Sequence, residues 1–256
     1  MKDLIPGYLA PNVLIGSVMV VVAIVFGLHR ALRLTGLPVR ERGSAFWRGS
    51  AVLLAWFFAS LSLSWWGFYR GTFSNVPTVP FGLLIPIAAG VALFRRVPAL
   101  RRIIDSVPQG WITSVQVFRL EGFIFLTLLA EGRLPGAFAW PAGVGDMIVG
   151  LTAPVAGIAF ARGMRGSAGW LRIWNLVGIA DLVVAVTTGF LTSPSPLQTL
   201  AFDRPNELIS AFPLVMVPVF LVPLAFLLHL ASLHKLRQIE PEKKNTSQAR
   251  SVVVGS

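Results

Sequence analysis

The chain of 256 residues contains no cysteine. This absence excludes disulfides, cysteine nucleophiles and cysteine-ligated zinc or iron–sulfur sites. Lysine occurs only near the two ends, so no long apolar run contains one. A retinal-binding protein needs such a lysine for its Schiff base, and that class is therefore excluded. The sequence also lacks the patterns typical of zinc metalloproteases, P-loop nucleotide-binding proteins and serine hydrolases.

Charged residues are scarce as well. They make up 13% of the chain, about half the share found in soluble domains, whereas 55% of the residues are hydrophobic. Mean hydropathy is +0.72, and the apolar residues form long runs. This pattern is typical of a polytopic integral membrane protein. The net charge of +11 would suggest nucleic acid in a soluble protein. Here the basic residues lie between apolar runs, so we expect a lipid bilayer as partner and no nucleic acid.

Seven apolar segments each have about the 20 residues that cross a hydrocarbon core. They are Pro11–Leu32, Phe46–Tyr69, Val76–Phe94, Gln109–Ala130, Gly136–Ala161, Trp170–Leu191 and Asn206–Leu230. We therefore predict an all-α fold with seven transmembrane helices in one domain over residues 1–234. The polar residues 235–256 are predicted to form a disordered cytoplasmic tail.

The distribution of basic residues predicts the orientation. One side of the predicted bundle holds only Lys2, Arg70, Arg133 and Arg204, whereas the opposite connections and the tail hold nearly all the others. The positive-inside rule places the basic side in the cytoplasm. The N-terminus is then outside, the C-terminus is cytoplasmic, and the expected location is the cell membrane.

Prolines interrupt two of the predicted helices. The third contains Pro80 and Pro86, and the seventh contains Pro213, Pro218 and Pro223. Interior prolines commonly only kink a helix. In the seventh, the triple set also allows a gate or a broken helix that lines a cavity.

Four ionisable residues lie deep within the fourth to sixth apolar segments: Arg119, Glu121, Asp146 and Asp181. At 1.5 Å per residue, the three acids reach similar depths near the middle of a bilayer. One arginine among three acids would leave a net charge of −2 if all were ionised, which is very costly there. One or two acids therefore hold a proton, or a cation resides among them. Two other readings remain open: the charges only lock three helices together, or Arg119 extends to the interface.

Helical spacing indicates which of these residues can contact one another. Arg119 and Glu121 are two residues apart and project from different sides of a helix. We therefore predict that Arg119 pairs with Asp146 or Asp181 and not with Glu121. A stripe of small residues flanks Asp146 and is predicted to contact the sixth helix near Gly178. Its members are Ala142, Gly143, Gly150 and Ala153.

Other side chains are expected around this cluster. Phe118 and Phe125 share a helix face with Glu121, and Trp174 shares one with Asp181. These three residues and Asn175 are predicted to line a pocket. His29, His229 and His234 fall near predicted helix ends, which favours solvated interfacial histidines over haem ligands. No cofactor and no metal site are predicted.

Three functions fit the sequence. The first is a small transporter or proton-coupled permease, in which Asp146, Asp181 and Glu121 carry protons or cations, and Arg119 is a counter-ion or holds an anionic substrate. The second is an intramembrane enzyme that acts by acid catalysis on a lipophilic substrate, an isoprenoid or a lipid. The third is a sensory or structural membrane protein. The substrate would be a small molecule, an ion or a lipid.

Overall fold

The computed structural model describes residues 5–73 and 76–254, with side chains as far as Gln238. This part of the chain is almost entirely helical, and seven of its helices are long and apolar enough to cross a membrane. The α-helices are α1 (Leu9–Leu34), α2 (Val39–Trp65), α3 (Val79–Arg96), α4 (Pro98–Ser106), α5 (Gln109–Ser114), α6 (Phe123–Ala130), α7 (Gly136–Ala161), α8 (Ser167–Thr192) and α9 (Val222–Val254).

Short non-α segments complete the description. The 3₁₀ segments are Phe68–Arg70, Val115–Gly122 and Leu208–Ser210, and Val217–Leu221 is a π-helix. A two-stranded antiparallel hairpin, β1 (Thr72–Phe73) with β2 (Val76–Pro77), lies between α2 and α3, with Thr72 opposite Pro77. The fourth span is therefore α5, a 3₁₀ segment and α6 in sequence, and the seventh is the π-helix followed by α9.

Five of the predicted spans match the structure to within three residues at each end, whereas the second and the seventh differ more. The second was predicted over Phe46–Tyr69 but runs over Val39–Trp65. The fourth and fifth begin and end where predicted, at Gln109–Ala130 and Gly136–Ala161.

The seventh was predicted over Asn206–Leu230 but runs over Val217–Gln238. Pro213 lies in a turn before Val217, where its missing amide hydrogen interrupts a continuous helix. Pro218 and Pro223, in contrast, lie within the helical part of the span.

The first four residues of the predicted disordered tail, 235–238, belong to α9 instead, and Lys235 among them is hydrogen-bonded. Disorder in the rest of the tail stays a prediction, since the side chains beyond Gln238 lie outside the described part.

A short amphipathic helix, α4, occupies the connection between α3 and the fourth span, where only a loop was predicted. Lys235 donates hydrogen bonds to the backbone oxygens of Ile104 and Asp105, which lie near the C-terminal end of α4. The Ser106 hydroxyl donates to the backbone oxygen of Ala31. These contacts tie α4 to α1 and α9.

Glycines allow α7 to lie very close to the fourth span. Gly143, Gly150 and Gly157 are seven residues apart and share one face of α7. A Cβ atom on Gly150 would lie 2.7 Å from the backbone nitrogen of Leu120, and one on Gly157 would meet the backbone oxygen of Gly110 at 2.7 Å. Small residues at a helix interface permit this approach of two backbones.

The predicted partner is therefore wrong for the two glycines of the predicted stripe. Gly143 and Gly150 meet the fourth span and not the sixth helix near Gly178. Gly178 instead lies against the ring of His229 and the guanidinium of Arg119. The glycine of α7 that does face α8 is Gly145, which lies beneath the carboxylate of Asp181.

Candidate functional site

The site is built around the 3₁₀ segment Val115–Gly122 in the middle of the fourth span. Eight residues is long for a 3₁₀-helix, and such stretches inside helices often mark hinges or strain. With three residues per turn, Arg119 and Glu121 are about 240° apart, so they project from different sides of the segment. The segment therefore presents a cation to α7 and α8 and an acid in another direction.

Arg119 joins two acids. Its Nε donates to Asp146 Oδ1 at 2.7 Å, and its Nη2 donates to Asp181 Oδ2. Arg119 is only 3% exposed, which rules out extension of its head group to the interface. The prediction that Arg119 pairs with Asp146 or Asp181 is confirmed, and it pairs with both.

His229 contacts the same guanidinium. Arg119 Nη1 lies 3.3 Å from the backbone oxygen of Gly178 and 3.2 Å from His229 Nε2. A guanidinium only donates hydrogen bonds, so His229 Nε2 accepts and carries no proton. The imidazole is then neutral with its proton on Nδ1, which lies 3.0 Å from Asn175 Oδ1. One neutral histidine is thus built into the cluster.

The prediction of a solvated, interfacial His229 is wrong, because the residue is fully buried. Its position followed from the predicted end of the seventh span at Leu230. The span actually continues to Gln238, which places His229 near its middle. The sequence signal that points to His229 is Pro213, because a span that begins after this proline extends further towards the C-terminus.

A polar network extends from His229 away from the acids. Asn175 Nδ2 donates to Ser232 Oγ at 2.8 Å, and Gln109 Nε2 donates to the same oxygen at 2.6 Å. Sequence reasoning missed Ser232 and Gln109. Ser232 follows His229 by three residues on α9 and therefore shares its face.

Three glycines provide the space that the polar side chains occupy. The carboxylate of Asp181 lies over Gly145, the ring of His229 over Gly178, and the carboxylate of Glu121 over Gly16 of α1. A Cβ atom at any of these glycines would overlap the side chain in question. A residue larger than glycine at any of these three positions would therefore displace the polar side chain that lies over it.

Glu121 is near the cluster but is not joined to Arg119. Its Oε2 is buried and has no hydrogen-bond partner within the described residues. Together with Phe118, Arg119 and Asp146 it borders a void of about 20 Å³. That volume is enough for about one water molecule. Of the four predicted site residues, the structure therefore brings three into direct contact and places the fourth beside them.

A larger cavity of about 310 Å³ ends at Asp146. Its outer part is lined by residues from the α2–α3 connection and from the segment after α8: Arg70, Thr72, Ser193, Ser195 and Glu207. Its inner part is lined by α7 and α8, with Asp146 the deepest position on α7. The cavity thus leads from one end of the bundle to the ion pair at its middle.

The walls of this cavity are largely apolar. Phe125 and Phe138 pack edge to face at 5.1 Å and both line it, together with Phe190 and Tyr69. Burial raises the pKa of Tyr69, which lies outside the spans, so its phenol is neutral at pH 7. The seventh span contributes Val217 and Pro218 of the π-helix and Val222 at the start of α9 to the wall.

The predicted pocket-lining residues divide into two groups. Phe125 lines both cavities, and Phe118 lines the small one. Trp174 and Asn175 line neither. The Trp174 ring packs against His229 at 5.1 Å, and Asn175 belongs to the polar network. Within the described residues, no three histidine, aspartate or glutamate side chains form a group that could hold a metal.

One family model matches this chain. It is described as "Domain of unknown function (DUF8737)" and covers residues 76–237, more than half of the chain. The match runs from just before α3 to the end of the seventh span and includes Arg119, Glu121, Asp146, Asp181 and His229. No curated protein matches the chain, and no solved structure matches it either.

Proposed function

We propose that this chain, which belongs to the DUF8737 family, is a small transporter or proton-coupled permease of the cell membrane. The observation that carries the proposal is the cavity that ends at Asp146, where the carboxylate is ion-paired with Arg119. Ionisable groups at this depth in an apolar bundle are typical of substrate and proton pathways.

The geometry supports a distinct role for each residue. Asp146 and Asp181 carry the proton or cation. The two carboxylates share one guanidinium, which leaves one negative charge to be balanced by a proton or another cation. Arg119 acts as their counter-ion. Four of its five N–H groups already have partners, and it does not line the larger cavity, so the structure gives little support to an anion-binding role.

The two ends of the bundle differ in a way that suits alternating access. The cavity opens between the α2–α3 connection and the segment after α8, on the side predicted to be outside. On the other side of Arg119, the space is filled by the hydrogen-bonded network of His229, Asn175, Ser232 and Gln109. An outward-open state of a transporter would have this arrangement, with the predicted outer side as the open one. The 3₁₀ segment and the π-helix are the irregular elements at which a second state would form.

Currents on solid-supported membranes test the proposal. Proteoliposomes of the full chain would be exposed to panels of amino acids, organic cations, organic anions and sugars under a pH gradient. Because exchange of one proton for one monovalent cation moves no net charge, a pH-sensitive dye inside the proteoliposomes is read beside the current. At least one class should give a current or a change of internal pH in the wild type that Asp146→Asn abolishes. Asp203→Asn, at an exposed position that does not line the cavity, should leave this response intact. Neither signal with any class, or an equal signal in Asp146→Asn, would contradict transport.

One observation favours an intramembrane enzyme as a second candidate. The cavity surrounds an acid with apolar and aromatic walls, which would suit protonation of a lipophilic substrate such as an isoprenoid. Incubation of the protein with isoprenoid and phospholipid substrates, followed by mass spectrometry, distinguishes the two. Asp146-dependent new products would favour the enzyme, whereas unchanged substrates together with Asp146-dependent currents would favour transport.

A further inference from the structure

We propose that the cavity binds a small organic cation with an apolar body, which competes with a proton for the Asp146–Asp181 pair. This inference rests on the proposed transport function and specifies its substrate class. Its basis is the charge of the cluster, the unbonded carboxylate oxygen at the end of the cavity and the aromatic walls.

The charge of the cluster is negative unless a cation joins it. Arg119 contributes one positive charge, and Asp146 and Asp181 contribute two negative charges when both are ionised. His229 contributes none, because its Nε2 accepts a hydrogen bond from Arg119. A net charge of −1 in an apolar interior is costly, so either a proton or an external cation is favoured there.

The carboxylate of Asp146 has an oxygen available for a ligand. Among the described residues, its hydrogen bond and ion pair both fall on Oδ1. Asp146 is only 7% exposed, yet it lines the inner end of the cavity. The second oxygen therefore offers negative charge to a ligand that enters from the mouth, while the first remains held by Arg119.

The residues that line the cavity indicate what kind of chemical group the cation carries. Phe125, Phe138 and Phe190 present aromatic surface between the mouth and Asp146. Aromatic faces attract cations, and they also cover apolar groups. A volume of about 310 Å³ lies at the lower end of the range for small-molecule sites. The match is an ammonium group attached to a compact apolar body, and not a sugar or a dianion.

A proton and the cation would exclude one another at this site. With one carboxyl protonated, the cluster of Arg119, Asp146 and Asp181 is neutral. When the organic cation binds, that proton leaves through the mouth to bulk solvent, and the charge of the ligand replaces it. The total charge in the bundle is the same in both states, which couples the movement of the cation to that of one proton.

The neighbouring titratable groups do not cancel the negative charge that favours a cation at this site. Glu121 on the fourth span is either neutral or adds a further negative charge, which increases the demand for a cation. At the mouth, Arg70 and Glu207 contribute one charge of each sign. Tyr69 is neutral at pH 7. The lining residues of α3, Val79 and Leu83, are apolar.

Calorimetry on the full chain in nanodiscs tests the inference. Benzyltrimethylammonium is the probe, and neopentylbenzene is its neutral isostere with a carbon in place of nitrogen. We expect benzyltrimethylammonium to bind at least tenfold more tightly than neopentylbenzene. Its binding should release close to one proton at a pH where the pair is protonated, measured from the dependence of the heat on the ionisation enthalpy of the buffer.

Variants separate this inference from the proposed function. Asp146→Asn should lose at least tenfold in affinity for the cation and should no longer release a proton, whereas Asp203→Asn should match the wild type. Equal binding of both probes to the wild type, or cation binding without proton release, would overturn the inference even if no variant folds. If another solute gives Asp146-dependent currents while benzyltrimethylammonium does not bind, transport stands and the substrate class is wrong.

Discussion

At the scale of single residues, Arg119 determines how the other polar side chains of the bundle are arranged. Its guanidinium holds Asp146 and Asp181, and it fixes the tautomer of His229. Removing one acid leaves a balanced ion pair. Removing the arginine leaves two carboxylates side by side in an apolar interior, which is the more costly change.

We therefore expect Arg119→Ala to reduce the stability of the protein in detergent by about 3–5 kcal/mol, the range for breaking one side of a buried ion pair. Asp146→Asn and Asp181→Asn should each cost less. The triple variant Arg119→Ala, Asp146→Asn, Asp181→Asn should recover part of the loss, since it carries no stranded charge. The measurement is thermal unfolding together with folded yield.

The matched control is Arg165→Ala, which removes an exposed arginine. Equal melting temperatures for Arg119→Ala and this control would mean that the cluster does not depend on its cation. A triple variant that is less stable than Arg119→Ala would argue against stranded charge as the cause.

The pairing of Arg119 could be predicted because it depends only on spacing. Arg119 and Glu121 fall on different sides of either an α-helix or a 3₁₀-helix, so the change of helix type did not matter. The role of His229 could not be predicted in the same way. It depends on where the seventh span begins, which is Val217 and not Asn206. Of the three prolines named for this segment in the sequence, only Pro213 lies before that start, and Pro218 and Pro223 lie within the π-helix and α9.

At the scale of elements, the glycine face of α7 determines how the fourth span approaches it. The sequence showed the small residues but not which neighbour they meet, since several helices could use such a stripe. Small residues permit a close contact without specifying the partner. The 3₁₀ form of Val115–Gly122 was not predicted either, because hydrophobic periodicity over eight residues does not separate a 3₁₀-helix from an α-helix.

Gly150→Ala tests the close approach. A Cβ atom there would lie 2.7 Å from Leu120 N and 3.1 Å from Arg119 C, and backbone atoms cannot move aside as a flexible side chain can. We expect a loss of about 1–3 kcal/mol, as for overpacking in a core. Gly43→Ala on α2, where no atom lies within 4 Å, should be neutral or stabilising. Equal melting temperatures for the two variants would place the α7 face away from the fourth span.

The segment before α1 offers a prediction about pH. The Tyr8 hydroxyl donates to Glu131 Oε1 at 2.9 Å, which joins this segment to the connection between α6 and α7. Burial, the hydrogen bond and the charge of Glu131 together raise the pKa of Tyr8 to about 12. The unfolded value is about 10, so the stabilisation from this contact is present below pH 10 and is lost as the pH rises towards 12.

Ultraviolet absorption measures this titration directly, because Tyr8 and Tyr69 are the two tyrosines of the chain. The difference between the wild type and Tyr8→Phe should show a phenolate transition with a midpoint near pH 12. A midpoint near pH 10 would show that the segment before α1 is not held against Glu131.

At the scale of the whole molecule, the mouth of the cavity and most of the basic residues lie in opposite sets of connections between the spans. The mouth is formed by the α2–α3 connection and the segment after α8, whereas most of the arginines lie in the alternate connections. The positive-inside rule then predicts that the mouth faces outwards and that the C-terminus is cytoplasmic. Reporter fusions at the two ends should report opposite sides, and termini on the same side would contradict seven crossings.

The natural absence of cysteine allows the cavity to be probed by single substitutions. Ala185 and Ala180 both lie on α8, but Ala185 lines the cavity whereas Ala180 is exposed on the outer face of the helix. A membrane-impermeant, positively charged thiol reagent would be added to cells or to oriented vesicles. Water and the reagent should reach Ala185→Cys through the mouth, whereas lipid should cover Ala180→Cys.

We predict rapid labelling of Ala185→Cys from the outside, no labelling from the cytoplasmic side and no labelling of Ala180→Cys from either side. Adding Asp146→Asn should slow the reaction of Ala185→Cys with the positively charged reagent but not with a neutral one. Equal labelling of the two cysteines, or labelling of Ala185→Cys only from the cytoplasmic side, would contradict an outward-facing cavity that ends at a negatively charged cluster.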